Sequence, residues 1–206
     1  ECNPNFFVTS YQNDQNHEVM GKYAQDAGMK KVFLMAPNYQ AGKDAIAGFK
    51  RYFKGEIADE VFVPLGQLDY SAELTKIAAA SPDAIFVFLP GGMGVNFVKQ
   101  FRQAGLADKV KFLSAFTVDE STLPAQKEAA VGFFGGANWA PNLDNPQNKK
   151  FVADYEKEYN AVPATYAFQA YDAALLIDGA LKLTKGNTSD KDALRAALMK
   201  ANFTSL

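Results

Sequence analysis

The chain has 206 residues, of which 48% are hydrophobic, and at about 150 residues per domain it makes one large domain or two modest ones. Its 21 Lys and Arg against 23 Asp and Glu leave a formal charge of −2, without the basic footprint that a nucleic-acid partner requires. The longest apolar runs, residues 84–89 and 173–177, fall far short of the ~20 residues that cross a bilayer, so no direct membrane insertion is expected.

In chain order, Glu1-Cys2-Asn3-Pro4-Asn5-Phe6-Phe7 has no initiator Met, no basic stretch and no signal-type apolar run, and reads like the interior of a longer protein. Val19, Tyr23, Ala24 and Ala27 recur at helical spacing, Gly28 would cap that helix, and His17 in its first turn reads as a solvated surface residue. Residues 32–36 form an unbroken apolar run, as in a parallel strand covered on both faces. A helix carrying Ala45, Ile46, Phe49 and Phe53 follows, then a strand at 61–65. Ser71 is a good N-cap for a helix with Leu74, Ile77 and Ala78 on one face. The strongest strand signal is 84–89. After it come a helix with Val95, Phe97, Val98 and Phe101 that ends near Gly105, a strand at 110–115, a weaker helix at 125–130 and a last strand at 131–136. This alternation predicts an α/β fold, a parallel sheet flanked by helices with right-handed crossovers. Beyond a polar, proline-flanked connection at 141–148 come three helical stretches with no strand between them, 148–160, 164–184 and 190–201, the last capped by Asp190.

Cys2 and His17 are the only residues of their kinds, which excludes a Cys/His zinc site and any disulfide within the chain. Cys2 either pairs with a segment outside this sequence, pairs with another molecule, or remains a free thiol. In open parallel sheets ligands bind outside the carboxyl ends of the strands. The segments there are Pro37-Asn38-Tyr39, Pro90-Gly91-Gly92-Met93-Gly94 and Phe116-Thr117. Gly91 and Gly92 ahead of a helix either bring backbone N–H groups to a ligand carboxylate or only make a tight turn. Tyr39, Phe116 and Trp139 are candidates to face a ligand, although with 17 Phe and 9 Tyr most aromatics must be core. The G-x-G-x-x-G spacing, the Walker A lysine and the G-x-S-x-G elbow are all missing. Asp119 and Glu120 fit a helix start better than an acid–base pair. No catalytic residue, metal or cofactor is predicted.

The segments Asn5-Phe6-Phe7-Val8-Thr9-Ser10, Lys31-Val32-Phe33-Leu34-Met35-Ala36-Pro37-Asn38-Tyr39, Asp69-Tyr70-Ser71-Ala72-Glu73-Leu74, Ser81-Pro82-Asp83-Ala84-Ile85-Phe86, Phe101-Arg102-Gln103-Ala104-Gly105-Leu106 and Ala167-Phe168-Gln169-Ala170-Tyr171-Asp172-Ala173 carry a resemblance. In that order they resemble the type I periplasmic solute-binding proteins of the branched-chain amino acid class, the receptors of ABC importers. The resemblance covers almost the whole chain and implies two α/β lobes that close on a small molecule and deliver it to a membrane permease. Residues 1–13 would be the end of the first lobe and the hinge crossing, and 14–139 the second α/β lobe. Residues 140–206 would be return helices of the first lobe, the rest of it absent from this sequence. It also implies a periplasmic location and a partner for Cys2 in that remainder.

By the same resemblance Tyr39 matches the family's cleft tyrosine, and Gly91, Gly92 and Met93 match the cleft loop after the third strand. Phe116, followed by Thr117, falls where amino-acid binders carry the acid that holds the ligand's ammonium. A buried ammonium against Phe116 loses its charge partner. The sequence resembles the branch of this family that takes up aromatic acids, and the ligand this resemblance implies is an aromatic carboxylate, such as a benzoate- or cinnamate-like acid, with ring contacts to Phe116. The alternatives are a branched-chain or other amino acid binder, and a ligand-sensing domain of a receptor or regulator with the same fold.

Overall fold

Val32, Leu34 and Ala36 point to one side of strand β1 (Lys31–Pro37) and Phe33 and Met35 to the other, and all five are buried. Strand β3 (Ala84–Val87) repeats the pattern, with Ala84 and Phe86 on the first side and Ile85 and Val87 on the second. Period-two alternation with no polar position requires cover on both faces, so each face carries helices. In the computed structural model, which describes residues 3–206, the first face is covered by α1 (Gln15–Asp26) through Met20 and Ala24 and by α2 (Gln40–Tyr52) through Ala45, Ile46 and Phe49. The second face is covered by α3 (Ser71–Ala80) through Ile77 and by α4 (Gly92–Gln103) through Phe97, Val98 and Phe101. The pairing of Cys2 lies outside the described residues.

Strands β2 (Glu56–Val63), β4 (Lys111–Ala115) and β5 (Phe134–Gly136) complete one all-parallel sheet of order β2-β1-β3-β4-β5. Between β4 and β5 run the short α5 (Leu123–Gln126) and a 3-10 turn at Lys127–Ala130. The predicted α/β fold is therefore what forms. The chain divides into two compact units, Tyr11–Asn138 with this sheet, and the residues up to Ser10 with Trp139–Leu206. The second unit holds α6 (Pro146–Tyr159), α7 (Thr165–Leu183) and α8 (Lys191–Lys200), close to the three expected stretches. Asp190 does cap α8, its side chain accepting from the Ala193 N–H at 3.0 Å.

Several local expectations differ. Strand β2 starts five residues before the predicted 61–65, because its first part, with Glu56, Asp59 and Glu60 exposed at the sheet edge, shows no apolar run. Strand β3 ends at Val87, and Phe88 and Leu89 leave the sheet. Ser71 is the first helical residue of α3 rather than its cap, and its N–H and hydroxyl donate to Asp69 Oδ1 at 3.0 and 2.6 Å. On α1 the expected apolar face is wrong. Val19 and Tyr23 are 55% and 37% exposed, while the buried face is Asn16, His17, Met20, Gly21 and Ala24. His17, expected at the surface, is fully buried.

Candidate functional site

From β1 the chain goes outward to β2, then crosses back to β3 on the other side of β1. The connections after β1 and β3 therefore leave in opposite directions along the sheet, and in an open parallel sheet ligands bind at the carboxyl edge beside such a switch. Three rings on the α1/α2 face of the sheet meet there, one from each of the central strand ends. Tyr39 directly precedes α2, whose start is pinned to β1. A Cβ on Gly42 would lie 1.9 Å from the Pro37 carbonyl oxygen, so only glycine lets the helix begin so close. Phe88 follows β3, its N–H donating to the Met35 carbonyl at 3.1 Å. Phe116 follows β4 with φ of +58°, an uncommon left-handed backbone for a bulky residue.

Tyr39 and Phe88 stack with ring centroids 6.3 Å apart, and Phe88 meets Phe116 edge to face at 6.3 Å. Tyr11, which opens this unit, stacks on Phe116 at 5.1 Å. His17 backs the group, its ring 5.1 Å from Phe88, 6.1 Å from Phe116 and 5.8 Å from Phe86. The structure thus joins the predicted Tyr39 and Phe116 and adds Tyr11, Phe88 and His17. Phe88 was hidden inside the apolar run 84–89, whose length masked the point where the strand stops. Nothing in the sequence marked Tyr11.

The remaining predicted residues have other surroundings. Gly91 has φ +58° and ψ −130°, a backbone that excludes side chains, and Gly92 opens α4. Both are exposed. The first N–H groups of α4 have no acceptor within the helix and lie at its positive end. Met93 is interior, on the α3/α4 face of the sheet, and its sulfur accepts from the Gly66 N–H at 3.4 Å. Thr117 is fully buried and joins the two strand-end loops. Its hydroxyl accepts from the Leu89 N–H at 2.8 Å and donates to the Val87 carbonyl at 3.3 Å. Both side chains position the loops. Trp139, a third aromatic candidate, is core of the other unit, stacked on Phe168 with its N–H donating to Asn148 Oδ1 at 2.7 Å.

Asp14 and Asp44 are the charged groups that act on His17. The Arg51 guanidinium bonds both Asp14 and Glu18. Asp44 accepts from Asn13 Nδ2 at 3.1 Å and from Gln40 Nε2 at 2.8 Å. Burial pushes the His17 pKa down to about 4, although Asp14 and Asp44 pull it upward. The imidazole is therefore neutral at pH 7. An open depression of about 630 Å³, lined by Lys30, Asp83, Lys109 and Phe133, lies at the opposite, amino-terminal edge of the sheet. Among the described residues no group of His, Cys, Asp and Glu could hold a metal ion, and no helix is long and apolar enough to cross a membrane.

A family model described as periplasmic binding protein matches residues 1–206. The chain is similar to Leu/Ile/Val-binding protein homolog 6 of Brucella melitensis, 32% identical over 197 residues, covering 91% of this chain and 50% of that protein. It is similar to a solute-binding protein of an ABC transporter from R. palustris, solved in complex with benzoate: 30% identity, TM-score 0.92, covering 99% of this chain and 57% of the other. A second such protein, from Rhodopseudomonas palustris BisB5 in complex with 3,4-dihydroxy benzoic acid, is 37% identical with a TM-score of 0.82, covering 92% of this chain and 54% of the other. The chain spans about half the length of these relatives.

Proposed function

The chain belongs to the periplasmic binding protein family, and on that footing we propose that it forms part of the periplasmic solute-binding receptor of an ABC importer and holds a small aromatic carboxylate. In this reading the unit Tyr11–Asn138 is the receptor's second lobe and the helical unit belongs to its first. The receptor binds without chemistry, closes on its ligand and hands it to the permease. Closure is a population shift driven by ligand contacts to both lobes.

One observation carries the reading: the carboxyl edge of the sheet presents Tyr39, Phe88 and Phe116 as one aromatic group. A benzene ring fits there by stacking and edge contacts, and its carboxylate fits the N–H groups at the start of α4. An α-ammonium beside Phe116 would lack a carboxylate in contact, which disfavours the amino acids bound by other members of the family. The benzoate bound by the R. palustris relative supports the same ligand class.

Titration calorimetry on the intact receptor tests this with benzoates against leucine and phenylalanine. Tyr39→Ala and Phe116→Ala should each weaken benzoate binding by about 2- to 13-fold, the loss of roughly 0.5–1.5 kcal/mol of ring contact. Phe116→Glu should weaken it further by adding a negative charge to a site that takes an anion. Unchanged affinity in both alanine variants, or tighter binding of leucine than of any aromatic acid, removes the proposal.

A further inference from the structure

Both ring nitrogens of His17 are buried and have no hydrogen-bond partner among the described residues. A buried donor and acceptor left unpaired is costly and calls for an explanation. Here the imidazole stands directly behind the ligand-facing rings, with Phe88, Phe86 and Phe116 as its ring neighbours. We propose that His17 is a specificity-determining residue of this site, hydrogen-bonding a ring hydroxyl so that the receptor prefers hydroxylated aromatic carboxylates to unsubstituted ones. The inference rests on the aromatic-acid reading above.

The chemistry of the imidazole points to a hydroxyl. In its neutral form one nitrogen donates and the other accepts, and a phenol can pair with either. A carboxylate is the wrong group for this end of the pocket, because Asp14 and Asp44 already lay negative charge around His17. The ligand's own carboxylate goes instead to the N–H groups at the start of α4, which places a ring substituent at the far end of the molecule. Of the three rings around His17, Phe86 and Phe88 are buried and Phe116 is only half-buried, so Phe116 is the one that turns aside to open the imidazole.

Calorimetry with benzoate, 3-hydroxybenzoate and 4-hydroxybenzoate on the intact receptor gives the test. The unsubstituted receptor should bind at least one hydroxylated acid about tenfold more tightly than benzoate, as expected for one hydrogen bond to a buried polar group. His17→Phe should bring all three acids to within about threefold of one another. A second measurement does not depend on the variant binding at all. The His17 ring-nitrogen NMR signals should shift with the preferred hydroxylated acid and stay in place with benzoate. Equal binding of the three acids by the unsubstituted receptor, a preference that survives His17→Phe, or unmoved nitrogen signals each overturns the role of His17 alone. Binding of no aromatic acid overturns the ligand reading itself.

Discussion

An imidazole among phenylalanines has a measurable signature in stability as well as in binding. Burial lowers the His17 pKa from its ordinary 6.5 to about 4, so between these values the unfolded chain binds a proton that the folded chain does not. Folding stability from this group is complete above pH 6.5 and is lost as pH falls toward 4. The loss is about 3 kcal/mol for a shift of this size. Urea denaturation of the receptor at intervals from pH 7 to 4 should show this decline, and His17→Phe should flatten it. Parallel curves for the two proteins would contradict the buried, neutral histidine. The sequence could not show this residue. A lone polar side chain in a helix's first turn carries no local mark of burial, and the Phe86, Phe88 and Phe116 rings that pack against it come from distant parts of the chain.

Helix α1 carries the same lesson one level up. Its existence and end were legible, since Gly28 follows it in a left-handed backbone. Its inward face was not, because the helix approaches α2 through a glycine rather than through its largest apolar side chains. A Cβ on Gly21 would lie 2.1 Å from the Phe49 carbonyl oxygen. Gly21→Ala should therefore push the two helices apart and cost about 1–3 kcal/mol, as overpacking does. Val19→Ser, on the outer face, should cost less than about 0.5 kcal/mol. Thermal or urea unfolding of both variants checks the pair, and equal losses would mean that the helix faces are misassigned. The edge strand β2 was displaced in prediction for a related reason: Glu56, Asp59 and Glu60 face solvent, so an apolar run marks only its carboxyl-terminal end.

Across the whole molecule, the Tyr11–Asn138 unit has its own five-stranded sheet and an apolar cluster on each face of it. A segment of residues 11–138 should therefore fold alone, with a cooperative urea transition and dispersed amide NMR signals. A gradual, non-cooperative melt would show that its stability depends on the rest of the chain. Hydrophobic periodicity was enough to establish the class of fold, because each strand and helix must bury its own stripe whatever its neighbours are. The strand-end loops were legible too, since in a parallel sheet they follow the strands in sequence. Tyr39 and Phe116 could thus be proposed from order along the chain. Their meeting with Phe88, Tyr11 and His17, and the inward turn of Met93 and Thr117, depended on which strands became neighbours and which face each loop residue took. Those are long-range choices of packing, and no stretch of sequence contains them.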